Sequence, residues 1–166
     1  MLKKYILLLS LVGISMLTGC GGRKELAVFQ ESIQNFYTEV SDIEAVMYEI
    51  DNNEEDAVTT MLICMEQMSS QFDLLAEMEV PMEFASVEGL ADDAAEYMSD
   101  AVKLYTQAYE EEGKVNDSYI QAAVENYESA MKRINYIATL LQGEIPEGVT
   151  VIEGDGNEFE PYTEEE

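Results

Sequence analysis

The amino-acid sequence predicts an all-α fold, an antiparallel up-down-up-down four-helix bundle with coiled-coil-like heptads. Two observations carry this prediction. Between about residues 23 and 143, apolar residues recur in alternating steps of three and four in four successive blocks, which is the a/d pattern of packed helices. The blocks have similar lengths and short connections, and helices joined in this way pack best as antiparallel neighbours.

The first block predicts a helix from about residue 23 to residue 50, roughly 40 Å long at 1.5 Å per residue. Its a/d stripe consists of Leu26, Phe29, Ile33, Phe36, Val40, Ile43, Met47 and Ile50. Asp51, Asn52 and Asn53 follow. Because short polar side chains compete for backbone hydrogen bonds, we expect them to end this helix and to cap the next one.

The second block runs from about residue 54 to residue 79 and ends at Val80-Pro81. Its stripe consists of Val58, Met61, Met65, Met68, Phe72 and Leu75. The alternative is a three-helix coiled coil in which this block fuses with the next. Pro81 argues against fusion, because proline inside a helix removes a hydrogen bond and clashes with the preceding turn.

The third helix is expected to begin near Pro81, since proline is well tolerated in a first turn. Its stripe consists of Phe84, Val87, Ala91, Ala94, Met98, Ala101, Tyr105 and Ala108. The alanines would let a neighbouring helix approach closely. Gly89 lies inside this helix at a cost of about 1 kcal/mol relative to Ala, so it marks a close crossing or a kink.

Ser118 and Gln121 have the spacing of a capping box for the fourth helix. Its stripe consists of Ile120, Val124, Tyr127, Met131, Ile134, Ala138 and Leu141. Gly143 then has the position of a helix C′ residue, where glycine is preferred.

The amino terminus has the parts of a bacterial lipoprotein signal. Lys3 and Lys4 precede an apolar stretch, residues 5–16, that is too short for a transmembrane helix of about 20 residues. The following Leu17-Thr18-Gly19-Cys20 resembles the lipobox of bacterial prelipoproteins. The resemblance implies that the Cys20 thiol receives a diacylglycerol group and that the chain is cut before Cys20 and then acylated there. The alternatives are an ordinary secretory peptide or an uncleaved anchor with a coincidental cysteine.

The predicted organisation is a signal peptide at 1–19, a lipidated amino terminus and short linker at 20–23, the bundle at 24–143, and an acidic, mostly disordered tail at 144–166. The mature chain would be held on the extracytoplasmic face of the cell membrane, with the lipid bilayer as its first partner. The short linker keeps the bundle near the membrane, so the turns near residues 52 and 115 should lie at its distal end.

The charge limits the partners. With 35 acidic and 8 basic residues the chain has a formal net charge of −27 at pH 7. Such a surface repels nucleic acid and anionic lipid headgroups, which excludes nucleic acid as a partner. It favours solubility first and weak binding of divalent cations second.

The composition argues against catalysis. The sequence has no histidine, so a Ser-His-Asp centre, a Cys-His centre and a Glu-x-x-His di-metal site are all excluded. No phosphate-binding glycine motif occurs. We therefore predict no catalytic residue, no cofactor and no metal site. With Cys20 lipidated, Cys64 is the only other cysteine, and no internal disulfide can form.

Three weaker features have two interpretations each. One group offers soft copper(I) ligands or flexible core fillers: Met61, Cys64, Met65 and Met68. A second has calcium-loop spacing, with Glu158 at the glycine position and Pro161 interrupting it: Glu153, Asp155, Asn157 and Glu164. The third widens the core or lines a partner surface: Tyr37, Tyr48, Tyr97, Tyr105, Tyr109, Tyr119, Tyr127 and Tyr136. We prefer flexible core fillers for the first group, a solvated tail for the second, and core-flanking roles for the third.

Two function classes follow, with an enzyme as a distant third. The preferred one is a non-catalytic, membrane-anchored helical interaction module for a protein partner in the cell envelope. The alternative is a binding protein for a small ligand or cation, held in an interior rich in Met and Tyr.

Overall fold

The computed structural model describes residues 23–51, 53, 55–110 and 114–146. These residues form four α-helices and no strand: α1 (Arg23–Glu49), α2 (Ala57–Ala76), α3 (Ser86–Ala108) and α4 (Asp117–Leu141). A short 3₁₀ turn, Met82–Phe84, precedes α3. The prediction of an all-α, four-helix fold is confirmed, and α1 begins at Arg23, where the first block predicts a helix to begin.

Two hydrogen bonds fix the relation between α1 and α4. The hydroxyl of Tyr37 donates to the carbonyl oxygen of Ile134 at 2.6 Å, and the hydroxyl of Tyr127 donates to Oε1 of Glu44 at 2.9 Å. Seven residues forward in α1, from Tyr37 to Glu44, therefore correspond to seven residues backward in α4, from Ile134 to Tyr127. The two helices run in opposite directions where they meet, while the up-down-up-down order of the whole bundle stays a prediction.

The apolar core lies where all four helices meet. Its buried members include Phe29, Ile33, Phe36 and Val40 of α1, Met68, Phe72 and Leu75 of α2, Val87, Leu90, Ala91, Ala94 and Met98 of α3, and Ala130, Ile134 and Ile137 of α4. Aromatic rings pack edge to face at its centre, since the Phe36 and Phe72 centroids lie 5.4 Å apart at 71°. The stripes predicted for the first three helices supply most of this core.

The stripe predicted for the fourth helix is partly wrong. Ile134 is buried as expected, but Val124 is 44% exposed, whereas Ala123 and Ala130 are buried. The most extensive contact between helices of the described residues is that of α3 with α4. Small buried side chains such as Ala123 and Ala130 allow two helices to come close together, which explains why alanines take the buried positions of α4.

The expected ends of α2 need correction. Asp51 and Asn53 do not cap it, because Oδ1 of Asp51 accepts hydrogen bonds from the backbone and side-chain nitrogens of Asn53 instead. The N-cap position belongs to Asp56, which makes no side-chain capping bond. At the other end α2 stops at Ala76, before Val80-Pro81, and Pro81 begins the 3₁₀ turn by accepting a bond from the Phe84 amide at 2.7 Å.

The fourth helix begins on a different cap from the one predicted and ends on the expected one. Oδ1 of Asn116 accepts from the amides of Ser118 and Tyr119, so the capping box on Ser118 is wrong. Gly143 adopts φ 77° at C′, and its amide donates to the carbonyl of Leu140 at 2.9 Å. With the Glu144 amide bonded to Thr139, this is a Schellman motif, which confirms the prediction for Gly143.

Candidate functional site

The lipidation site predicted from the sequence, Cys20, lies outside the described residues. So do the calcium-loop residues and most of the acidic tail, residues 147–166. Across the described ranges, no helix has the length and apolarity needed to span a bilayer. The lipid anchor and the acidic tail therefore stay predictions, and the candidate interaction site described below lies on the four helices.

The Glu44–Tyr127 contact is the main polar contact between α1 and α4. Burial raises the pKa of Glu44, and the hydrogen bond from Tyr127 opposes that rise in part. Burial, followed by the nearby negative charge of Glu44, raises the pKa of Tyr127 well above its ordinary value. Tyr37, whose pKa burial also raises, makes the second bond across this seam. The side chains of Glu44, Tyr127 and Tyr37 hold α1 and α4 together, and the phenols of the two tyrosines stay protonated at physiological pH.

Other tyrosines are used in packing on the helices. The Arg133 guanidinium lies 5.1 Å from the Tyr97 ring centroid, and its Nε is 3.7 Å from Oδ2 of Asp93, which joins α4 to α3. The Tyr105 and Tyr109 rings contact each other at 5.2 Å. The Lys132 ammonium group lies over the ring of Tyr136. Of the eight tyrosines named in the sequence analysis, only Tyr48 and Tyr119 are exposed. Half of the set, namely Tyr37, Tyr97, Tyr127 and Tyr136, packs against the core and so has the core-flanking role.

The methionine and cysteine group lies on the inner side of α2. Met68 is fully buried in the apolar core, and Cys64 and Met65 are buried nearby. Burial raises the pKa of the Cys64 thiol, which disfavours the thiolate that a soft metal ion would require. The part of the chain that the structure describes has no cluster of three His, Cys, Asp or Glu residues suited to a metal ion. This geometry favours core filling.

A shallow, open depression lies at the turn between α3 and α4. It is bordered by Gln107 and Glu110 on one side and by Val115, Asn116 and Tyr119 on the other. Asn116 is already engaged as the cap of α4. The depression offers a bound molecule little enclosure, so we assign it no ligand.

The outer face of α2 differs from the rest of the surface. This helix has two charged residues among its 20, although the chain has a net charge of −27. Its solvent side bears a second series of residues at alternating steps of three and four, here called the outer stripe: Thr60, Ile63, Gln67, Ser70, Leu74 and Glu77. Ile63 is 49% exposed and Leu74 is 54% exposed. The outer stripe therefore combines exposed aliphatic side chains with a local charge that is low for this chain, and interface cores are likewise poor in charged residues.

The two charged residues of α2 border the outer stripe on one side. Glu66 and Asp73 are both exposed and are separated by one heptad, so they occupy equivalent places along the helix. The hydroxyl of Ser70 donates to the carbonyl oxygen of Glu66 at 3.0 Å, which satisfies it within the helix. The outer stripe thus combines two large apolar residues with uncharged polar residues, ends at the acidic Glu77, and has one acidic edge.

Comparison with known proteins adds no family. No family model, curated protein or solved structure matches this chain. The candidate site therefore rests on the geometry of α2 alone. Sequence reasoning missed the outer stripe because Thr60, Gln67 and Ser70 are not apolar, although the low charge of residues 57–76 was a visible signal.

Proposed function

We propose that this chain is a lipid-anchored extracytoplasmic protein that acts as a non-catalytic helical interaction module for a protein partner in the cell envelope. The observation that carries the proposal is the outer stripe of α2, which exposes Ile63 and Leu74 on a helix with two charged residues. The lipobox ending in Cys20 supports the location.

The charge distribution supports binding through α2. Burying a charged side chain in an interface requires a compensating partner, and interface cores are accordingly poor in charge. On a chain with a net charge of −27, the part of the outer stripe from Thr60 to Leu74 has no charged member, so a partner can cover it with the carboxylates of Glu66, Asp73 and Glu77 left at the border. Its exposed aliphatic side chains would supply the apolar area for binding.

The engagement of the polar groups in packing supports a non-catalytic role. Tyr37, Tyr127 and Glu44 join α1 to α4, and Arg133 is held against Tyr97 on α3. A catalytic group needs access to a substrate and a pKa suited to proton transfer. The raised pKa values of Tyr37 and Tyr127 leave both phenols protonated and hydrogen-bonded inside the bundle.

Site-specific photo-cross-linking in intact cells tests the proposal. A photoreactive amino acid is placed at Ile63 or at Leu74 in the full-length chain, and at Val46 of α1 as a control of similar exposure, 51%. We expect a discrete adduct of the chain with one other protein from positions 63 and 74 that is absent from position 46. An absence of adducts at 63 and 74, or the same adducts from all three positions, would contradict the proposal.

A further inference from the structure

We infer that the partner contributes an amphipathic helix with Lys or Arg residues beside its apolar seam, and that this helix packs lengthwise on the outer stripe of α2. The inference rests on the proposed function and goes beyond it by specifying the chemistry of the partner. Its starting point is that α2 has two series of residues at a/d spacing, of which the bundle buries one and the other exposes Ile63 and Leu74.

The outer stripe has the spacing of a coiled-coil seam, with Ile63 and Leu74 as its large apolar members. Taking Thr60, Gln67 and Leu74 as the a positions places Ile63 and Ser70 at d positions. The series continues to residue 77 and is roughly 26 Å long at 1.5 Å per residue, which is enough for more than two heptads. All of these side chains except the half-buried Thr60 are exposed. A seam of this period matches another helix better than it matches any other element.

The fold also favours a helix as the occupant. An extended peptide binds most readily by adding a strand to a sheet edge, and the described residues contain no strand. The small Ser70, whose hydroxyl is satisfied by the Glu66 carbonyl oxygen, allows the backbone of a neighbouring helix to come close. Gln67, in the middle of the seam, is a polar residue of the kind that fixes helix register.

The charges beside the outer stripe determine which charged residues the partner helix should carry next to its apolar seam. Glu66 and Asp73 occupy successive g positions, from which residues pair with the e or g positions of a facing helix. Positively charged residues there would make favourable pairs and would be steered to this acidic chain. A partner helix with acidic residues at those positions would be repelled.

The same charges disfavour a second copy of this chain. In an antiparallel pair of outer stripes, Glu66 and Asp73 would face the same residues of the other copy, and like charges in register are destabilising. In a parallel pair they would face the e positions Gln71 and Met78, which are both half-buried against the bundle. Each copy also has a net charge of −27, which opposes association.

A peptide-binding measurement tests the inference. The probe is a synthetic, fluorescently labelled helix of about four heptads, with Ile and Leu at a and d and Lys at e and g. The control peptide has the same composition in scrambled order, which separates helix recognition from attraction to an acidic chain. Fluorescence anisotropy with the full-length lipoprotein in detergent micelles should show binding of the heptad peptide at least about tenfold tighter than binding of the scrambled peptide.

Substitutions in the outer stripe should remove that preference. The double variant Ile63→Ser with Leu74→Ser should bind both peptides equally, whereas Val46→Ser on α1 should keep the preference of the unmodified protein. Exchanging the acidic edge, Glu66→Lys with Asp73→Lys, should shift the preference to a peptide with Glu at e and g. Asp92→Lys with Glu96→Lys on the exposed side of α3 makes the same change in net charge and should leave the preference unchanged.

The inference is overturned by equal binding of the heptad and scrambled peptides, or by a preference that survives in the Ile63→Ser, Leu74→Ser variant. It is also overturned by sedimentation showing a dimer of the chain that this double variant abolishes. Because the peptides are synthetic, these outcomes leave the cross-linking experiment unaffected. A cross-linked adduct from position 74 together with equal binding of the two peptides would support the proposed function and would contradict the inference that the partner is a basic helix.

Discussion

The hydroxyl of Tyr127 donates a hydrogen bond of 2.9 Å to Oε1 of Glu44 and so joins α4 to α1 across 83 residues of sequence. Burial raises the pKa of this carboxyl group above its ordinary value. When the pKa of a carboxyl group is higher in the folded state than in the unfolded state, its contribution to the free energy of unfolding is fully present at pH values below the unfolded pKa. That contribution is lost as the pH rises through the folded pKa.

We therefore predict that Glu44→Gln stabilises the bundle at neutral pH. The amide keeps an acceptor for the Tyr127 hydroxyl and carries no charge that burial penalises. The gain in the free energy of unfolding over the unmodified protein should shrink as the pH falls through the raised pKa of Glu44, and it should be lost by about pH 4, below the ordinary pKa of a glutamate. Urea denaturation at both pH values measures it.

The exposed Glu39 of α1 is the control for this effect. Glu39→Gln removes the same charge from an acidic chain but not from a partly buried position. Equal gains from the two variants at pH 7, or a gain from Glu44→Gln that does not depend on pH, would contradict the role assigned to burial.

Truncation of two nearby residues of α2 should have very different effects on stability. Phe72 is fully buried against Phe36, whereas Leu74 is 54% exposed. Phe72→Ala should lower the free energy of unfolding by about 3–5 kcal/mol, because it leaves a cavity at the centre of the core. Leu74→Ala should change it by less than about 0.5 kcal/mol. Similar losses in urea denaturation would show that the assignment of inner and outer faces is wrong.

Gly143 should resist replacement because of its backbone conformation. Its φ of 77° lies in the left-handed region, and a Cβ there meets no atom within 4 Å, so the backbone alone sets the cost. Gly143→Ala should lower the free energy of unfolding by about 1–2 kcal/mol. Gly143→Asn should cost less, since asparagine tolerates this region better. Equal stability of all three proteins on thermal unfolding would contradict the Schellman assignment.

The proposed anchor predicts a difference between the two cysteines. Cys20→Ser should abolish incorporation of labelled palmitate, because no thiol remains at this position to receive the lipid. Cys64→Ser replaces a buried thiol in α2 and should retain the label. Equal labelling of the two variants, or no labelling of the unmodified protein, would argue against lipidation at Cys20.

Periodicity predicted the helices and most of the core because the residues that face inward on α1, α2 and α3 are also the apolar ones. It failed on α4, where hydrophobicity favoured Val124 but packing against α3 selected the smaller Ala123. Helix ends depend on single side-chain bonds, so Asn116 displaced Ser118 as a cap. The outer stripe was missed because a search for apolar residues passes over Gln67 and Ser70.

Cysteine labelling on intact cells tests the central claim, that a partner covers the outer stripe outside the cytoplasm. Leu74→Cys and Val46→Cys place thiols at sites of similar exposure, 54% and 51% in the native residues. With a membrane-impermeant maleimide, the account predicts that position 46 reacts readily and position 74 at least about tenfold more slowly. The two should react alike in the purified protein. Equal reaction of both in cells, or no reaction at position 46, would contradict the account.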